Sequence, residues 1–139
     1  MYYSGEGVEE DLETAFLLNK FAAKQGLARA QFHLGVMYDN GEGVEEDNVS
    51  AVRWYLAAAE QGHAGAQCTL GFMYRYGEGV AEDNEEAIKW FRKAAEQGEA
   101  EAQYRLSLMI FEKADTDVMN KLGIVWMEQA AEHGNAKAR

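Results

Sequence analysis

The sequence predicts an all-α chain, a solenoid of about four 36-residue helix-turn-helix repeats. Three observations carry that reading. The segment Gly5-Glu6-Gly7-Val8-Glu9-Glu10-Asp11 returns at Gly41–Asp47 and, with one change, at Gly77–Asp83, offset by 36 residues each time. Between these segments, apolar residues recur at the spacing of one helix face. Proline is absent, where average usage would give about seven, and alanine is abundant while β-branched residues are sparse, which favours helix over sheet.

The same offset links Gly26, Gly62, Gly98 and Gly134, and it links Leu34, Leu70 and Leu106. It also links Trp54, Trp90 and Trp126. About half the positions match between the first two units without a gap, the mark of a tandem array. The array runs over 1–139 as a single domain, with repeat phases beginning near 28, 64 and 100 and partial repeats at both ends. Met1-Tyr2 aligns with Met37-Tyr38, and Asn135–Arg139 aligns with Leu27–Gln31. That phase is expected of a piece of a longer array or of an atypical short protein.

Seven helices are expected, over roughly 12–25, 28–39, 48–61, 64–75, 84–97, 100–111 and 118–133. Asp11 is placed to cap the first. Asp47 caps the third, whose apolar stripe is Ala51, Trp54, Tyr55, Ala58 and Ala59. Gly62 follows it as the C′ residue, where a left-handed backbone suits glycine. The fourth helix carries Ala66, Leu70, Met73 and Tyr74, and Gly77 with Gly79 breaks it into a turn. Asp83 caps the fifth, and Glu86 three residues on would complete a capping box. Short connections make consecutive helices antiparallel. Before the seventh helix, Lys113–Met119 lacks the glycines and the usual cap, leaving Asp115 or Asp117 to stand in. Gly35 and Gly71 fall inside helices, at a cost of about 1 kcal/mol each relative to alanine. A repeated cost implies a repeated reason: two helices approach too closely for a Cβ. Ser107 holds that phase in the next repeat.

Composition narrows the function. A net charge of −11 and a pI of about 4.7 argue against nucleic acid, whose binding needs neutralising Lys and Arg. No run approaches the ~18 apolar residues of a membrane span. One cysteine excludes an intrachain disulfide framework and a cysteine-based zinc site. The acidic loops, such as Glu42 with Glu45, Glu46 and Asp47, lack the spacing of a calcium loop. Their Gly-x-Gly lacks the strand and third glycine of a dinucleotide fingerprint. No cofactor and no metal are expected. The lone cysteine and the lack of a visible signal peptide favour the cytoplasm, with the periplasm or export as the alternative.

Ala66, Gln67, Leu70, Gly71, Tyr74, Gly77, Gly79, Val80 and Asp83 follow one known pattern, continued by Ala87, Trp90, Phe91, Lys93, Ala94, Ala95, Gln97 and Gly98. In these residues the chain resembles the Sel-one-like repeat family, relatives of the tetratricopeptide repeats. The resemblance covers almost the whole chain. It implies an α/α superhelix, here expected to be right-handed, and an adaptor role in assembling protein complexes. It implies no catalytic residue. Some family members staple each repeat with paired cysteines; Cys68 is alone, so that chemistry does not transfer.

The repeats are most informative where they disagree. Within the first helix of each unit, the varying positions lie 4, 3 and 4 residues apart, which is one helix face. They are Arg29, His33, Val36 and Asn40 in one unit. In the next they are Gly65, Thr69, Phe72 and Tyr76, and in the last Glu101, Arg105, Leu108 and Glu112. Stacked, they make a candidate partner-binding stripe on the concave face of the solenoid. Its apolar middle, Val36, Phe72 and Leu108, suits a groove, and the same residues also suit core.

The leading function is therefore a non-catalytic scaffold binding a protein or peptide through Phe72, Tyr76, Arg29 and Arg105. The acidic total suggests a basic partner. An alternative is a self-assembling structural segment that joins end to end through an apolar face of the first helix, including Phe16 and Phe21. A hydrolase using His33 is a third reading, without a triad or metal cluster to support it. Cys68 aligns with Phe32 and Tyr104 and is expected to be an inert core residue. Trp54, Trp90 and Trp126 are likewise expected to be core.

Overall fold

The structure, a computed structural model, describes residues 5–113, 126 and 128–130, with side chains described over 11–112, 126 and 128–130. Six helices follow in order: α1 (Gly5–Lys24), α2 (Ala28–Asn40), α3 (Asn48–Glu60), α4 (Ala64–Tyr76), α5 (Asn84–Glu96) and α6 (Ala100–Lys113). There is no strand among the described residues. The expected helix over 118–133 lies outside them except for Trp126, Glu128, Gln129 and Ala130, which are helical. The stand-in caps Asp115 and Asp117 lie outside the described residues.

Each helix packs on its neighbours in the chain, and α4 also touches α6. The core is three clusters in a row. Phe16, Ala23, Ala30, Leu34 and Met37 form the first, with Trp54 reaching in from α3. Tyr55, Ala58, Leu70 and Met73 lie in the second, which takes Trp90 from α5. Phe91, Leu106, Met109 and Cys68 lie in the third, against which Trp126 packs. Each tryptophan thus belongs to the core, and no unit closes its apolar face alone.

The repeated glycines answer to specific neighbours. A Cβ on Gly35 would lie 2.7 Å from two ring atoms of Tyr55, and one on Gly71 would lie 2.6 Å from two ring atoms of Phe91. Glycine facing an aromatic ring therefore sets the spacing of α2 on α3 and of α4 on α5. Ser107, fully buried at the same phase, donates its hydroxyl to the Tyr104 carbonyl at 2.7 Å. In the sequence of that unit, Met127 stands at the phase of Tyr55 and Phe91.

In the turns, Gly77 caps α4 with a left-handed φ of 68°. Gly79 lies against the backbone carbonyl of Asn48 at the start of α3, and Gly43 lies in the same way against that of Leu12. A side chain at either position would collide with that backbone. This docking explains a departure from expectation at the first unit. Helix α1 begins at Gly5, so Gly5–Asp11 is helical rather than a turn and Asp11 lies inside the helix rather than capping it. Gly5–Asp11 takes the local helical form that Gly41–Asp47 and Gly77–Asp83 give up where they rest on a neighbouring helix.

The other caps form. Asp47 accepts from the Val49 and Ser50 N–H groups, and Asp83 accepts from those of Glu85 and Glu86. Hydrogen bonds from the Ser50 hydroxyl and N–H hold the Asp47 carboxyl below its usual range. The capping box at Asp83 stays open. Its own N–H already donates to the Tyr74 carbonyl at 2.8 Å, so Glu86 turns to Lys89 at 3.8 Å.

A ladder of glutamines fastens one unit to the next. Buried Gln31, Gln67 and Gln103 each donate to a carbonyl at the end of the preceding helix: Ala23 at 3.2 Å, Ala59 at 3.1 Å and Ala95 at 3.1 Å. Gln61 then donates to the side-chain oxygen of Gln31 and to the Gly26 carbonyl, both at 2.8 Å. Gln97 repeats this one unit later, on Gln67 at 2.8 Å and on Gly62 at 2.9 Å. A buried amide with its partners in place avoids the desolvation penalty of about 1–3 kcal/mol that an unpaired group would carry.

Candidate functional site

Helices α2, α4 and α6 present the varying stripe. Arg29, His33 and Asn40 are exposed on α2, with Val36 half-buried against the second cluster. On α4, Gly65, Thr69 and Phe72 are half-buried and Tyr76 is exposed. On α6, Glu101, Arg105 and Leu108 are half-buried and Glu112 is exposed. The face anticipated as variable is therefore open to solvent along its length.

Five of these residues converge. Phe72, Tyr76, Arg105, Leu108 and Glu112 line one narrow cleft between α4 and α6, about 40 Å³ in volume. The Phe72 ring stands edge-on to Phe91, with centroids 5.2 Å apart, and lies nearly parallel to Tyr76 at 6.5 Å. The Arg105 guanidinium lies over Phe72, 5.0 Å from its centroid, and pairs with Glu101 at 2.9 Å. Arg75, which lies outside the 4-3-4 spacing of the stripe, closes the rim. It pairs with Glu112 at 2.8 Å and donates to Asn84 at 3.0 Å. Its phase holds Asp39 and Phe111 in the flanking units, so the same criterion of variation could have found it.

The remaining stripe residues stand apart. Arg29 and His33 line a separate, wider opening with Asn19 and Leu27, about 490 Å³ in volume. Thr69 turns its hydroxyl back to the Gly65 carbonyl at 2.8 Å. Asn40 donates to Glu42 at 3.4 Å.

The cleft is too small for a substrate-sized molecule, but its rim is adjustable. Partly exposed ion pairs such as Arg75–Glu112 hold the fold by only about 0–1 kcal/mol. An incoming group can therefore replace one partner at little cost. The aromatic floor is fixed by its packing on Phe91.

Cys68 and His63 are poorly poised for catalysis. Burial, with Glu99 and Glu101 nearby, pushes the Cys68 thiol up to about 12, so it stays protonated at neutral pH. His63 caps α4, its Nδ1 accepting the Ala66 N–H at 3.0 Å, and it stacks on Phe32 at 4.6 Å. Burial, and then the neighbouring His33, push its pKa below the ordinary 6.5. No cluster of His, Cys, Asp and Glu suited to a metal occurs among the described residues. No helix among them is long and apolar enough to cross a membrane.

Tandem helix-turn-helix units, each completing its neighbour's core and leaving a varied face open, define a repeat protein of the α/α solenoid class. The Sel1 repeat matches residues 1–27, 28–63, 64–99 and 100–135, and the chain belongs to that family. It is 43% identical to a Sel1 repeat protein from Oxalobacter formigenes, with a TM-score of 0.77 over 82% of this chain and 45% of that one. It is 32% identical to c5321, a protective antigen of uropathogenic Escherichia coli with an SLR fold, with a TM-score of 0.83 over 95% of this chain and 28% of that one. The chain thus spans less than half the length of either protein. No curated protein matches it. Sel1 repeat proteins are generally protein–protein interaction scaffolds and are typically non-catalytic.

Proposed function

We propose that the chain holds a peptide or protein segment along the stripe of α2, α4 and α6, on the concave side of a right-handed superhelix. The single observation behind this reading is the Phe72–Tyr76–Arg105 cleft, an aromatic floor with a displaceable charged rim on the face that varies between repeats. An apolar centre with a polar rim is the usual anatomy of an interaction surface. The net charge of −11 favours a basic partner and faster encounter at low salt. The test is a display selection of peptides on the immobilised chain. Selected peptides should bind the Tyr76→Ala/Arg105→Ala variant at least tenfold more weakly than the wild type. Equal affinity would reject the stripe.

A second reading, end-to-end self-association, draws on α1. Leu17, Leu18 and Phe21 are 63%, 66% and 68% exposed. Leu18 holds the phase of Trp54 and Trp90, which elsewhere pack into a core cluster. Phe16, expected on this open face, is instead buried. Its ring stands edge-on to Tyr38 at 5.4 Å, because α2 packs over that side of α1. A Leu18→Lys/Phe21→Lys variant that sediments no differently from the wild type at high concentration would remove this reading.

A further inference from the structure

Trp54 and Trp90 hold the same phase one repeat apart, yet their rings are covered differently. Over Trp90 stand the ammonium groups of Lys93, 4.9 Å from the ring, and Lys89, 5.3 Å away. At Trp54 the equivalent positions are Ala57 and Arg53. Among the described residues no cation stands over the Trp54 ring. A cleft of about 360 Å³ opens there, lined by Tyr38, Ser50, Arg53, Trp54 and Ala57. Its two aromatic walls are held from behind, Tyr38 by the edge of Phe16 and Trp54 by the first core cluster. Ser50 donates to the Asp47 carboxylate at 2.7 Å, so a negative charge lies one hydrogen bond from the lining.

We propose that this cleft docks a lysine side chain of a protein partner, whose ammonium takes over Trp54 the place that Lys93 takes over Trp90. A cation is drawn to the indole face by the ring quadrupole, and the lysine stem packs on apolar surface. Arg53 does not bar it, because two cations already share Trp90. The net charge of −11 favours such a partner over an acidic one. The proposal adds a second contact to the scaffold reading and uses no residue of the stripe.

The probe is a ten-residue peptide alternating lysine and serine, titrated against the full chain while the tryptophan indole N–H resonances are followed. The Trp54 resonance should shift saturably. Ala57→Lys, which places in this unit the residue found at position 93, should fill the site from within and weaken that binding about two- to fivefold. Ala57 is half-buried and its counterpart Lys93 is exposed, so the change is compatible with the fold. Lys93→Ala should make Trp90 respond as well. The proposal is overturned if the Trp54 resonance does not move, if a norleucine–serine peptide binds as well, or if Ala57→Lys changes nothing. Because the readout is Trp54, failure of the stripe through Tyr76 and Arg105 leaves this result standing, and the converse also holds.

Discussion

Replacing Gly71 with alanine should destabilise the chain although it improves helix propensity. In an exposed helix interior the exchange would stabilise by about 1 kcal/mol. Here the new Cβ would sit 2.6 Å from two atoms of the Phe91 ring, about 0.8 Å inside ordinary contact. Phe91 is 1% exposed, and its helix is pinned by the fully buried Ala87 and Ala94, so the ring has nowhere to retreat. Overpacking of this kind costs about 1–3 kcal/mol, which outweighs the propensity gain and leaves a net loss of about 1 kcal/mol. The sequence of the third unit points to a suppressor, since it has Ser107 at the phase of Gly71 and Met127 at the phase of Phe91. Gly71→Ala combined with Phe91→Met should therefore be more stable than the sum of the two single changes, by about 1 kcal/mol or more. Urea unfolding followed by circular dichroism, with the m-value unchanged, measures each corner of the cycle. A raised midpoint for Gly71→Ala alone, or effects additive within about 0.5 kcal/mol, would refute the steric argument.

Three further outcomes are expected. Gln67→Leu removes an acceptor from Gln97 and a donor from Ala59, and urea unfolding should show a loss of about 1–3 kcal/mol. Cys68, with its thiol pushed up to about 12, should react with iodoacetamide at pH 8 far more slowly in the folded chain than in urea; equal rates would contradict its burial. Because the His63 pKa is lowered on folding, the unfolded chain takes up the proton first. That stability is fully present above about pH 6.5 and is lost as pH falls from there through the lower folded value. His63→Asn keeps a capping side chain and should flatten the dependence of the thermal midpoint on pH in that window.

The period, the Asp47 and Asp83 caps and the crowded glycines were legible because each leaves a local mark at fixed phase. What was missed depends on contacts between units. Gln31, Gln67 and Gln103 look like ordinary polar residues of a helix, and only the carbonyls of the preceding helix make them interior. His63 was not anticipated as a cap, since imidazole seldom plays that part. The turn pattern at Gly5–Asp11 failed because Gly43 and Gly79 turn where they rest on a neighbouring helix, which the local sequence cannot display. Phe16 and Phe21 are both apolar residues of α1, and only the position of α2 decides which one is covered. Of the residues lining the cleft, Phe72, Tyr76 and Arg105 lie on the varying face, while Arg75 lies outside its 4-3-4 spacing.

The glutamine ladder gives the array a translational grammar. Gln61 takes up the amide that Gln31 offers, and Gln97, 36 residues on, takes up that of Gln67. A gain or loss of 36 residues in phase adds or removes one such pair whole, whereas a break between Gln31 and Gln61 or between Gln67 and Gln97 strands an amide without its mate. Length is therefore a character that can drift by whole units while the interior stays constant. A recognition surface spread over such units can lengthen or shorten with them, so that the reach of the binding face is inherited separately from its chemistry.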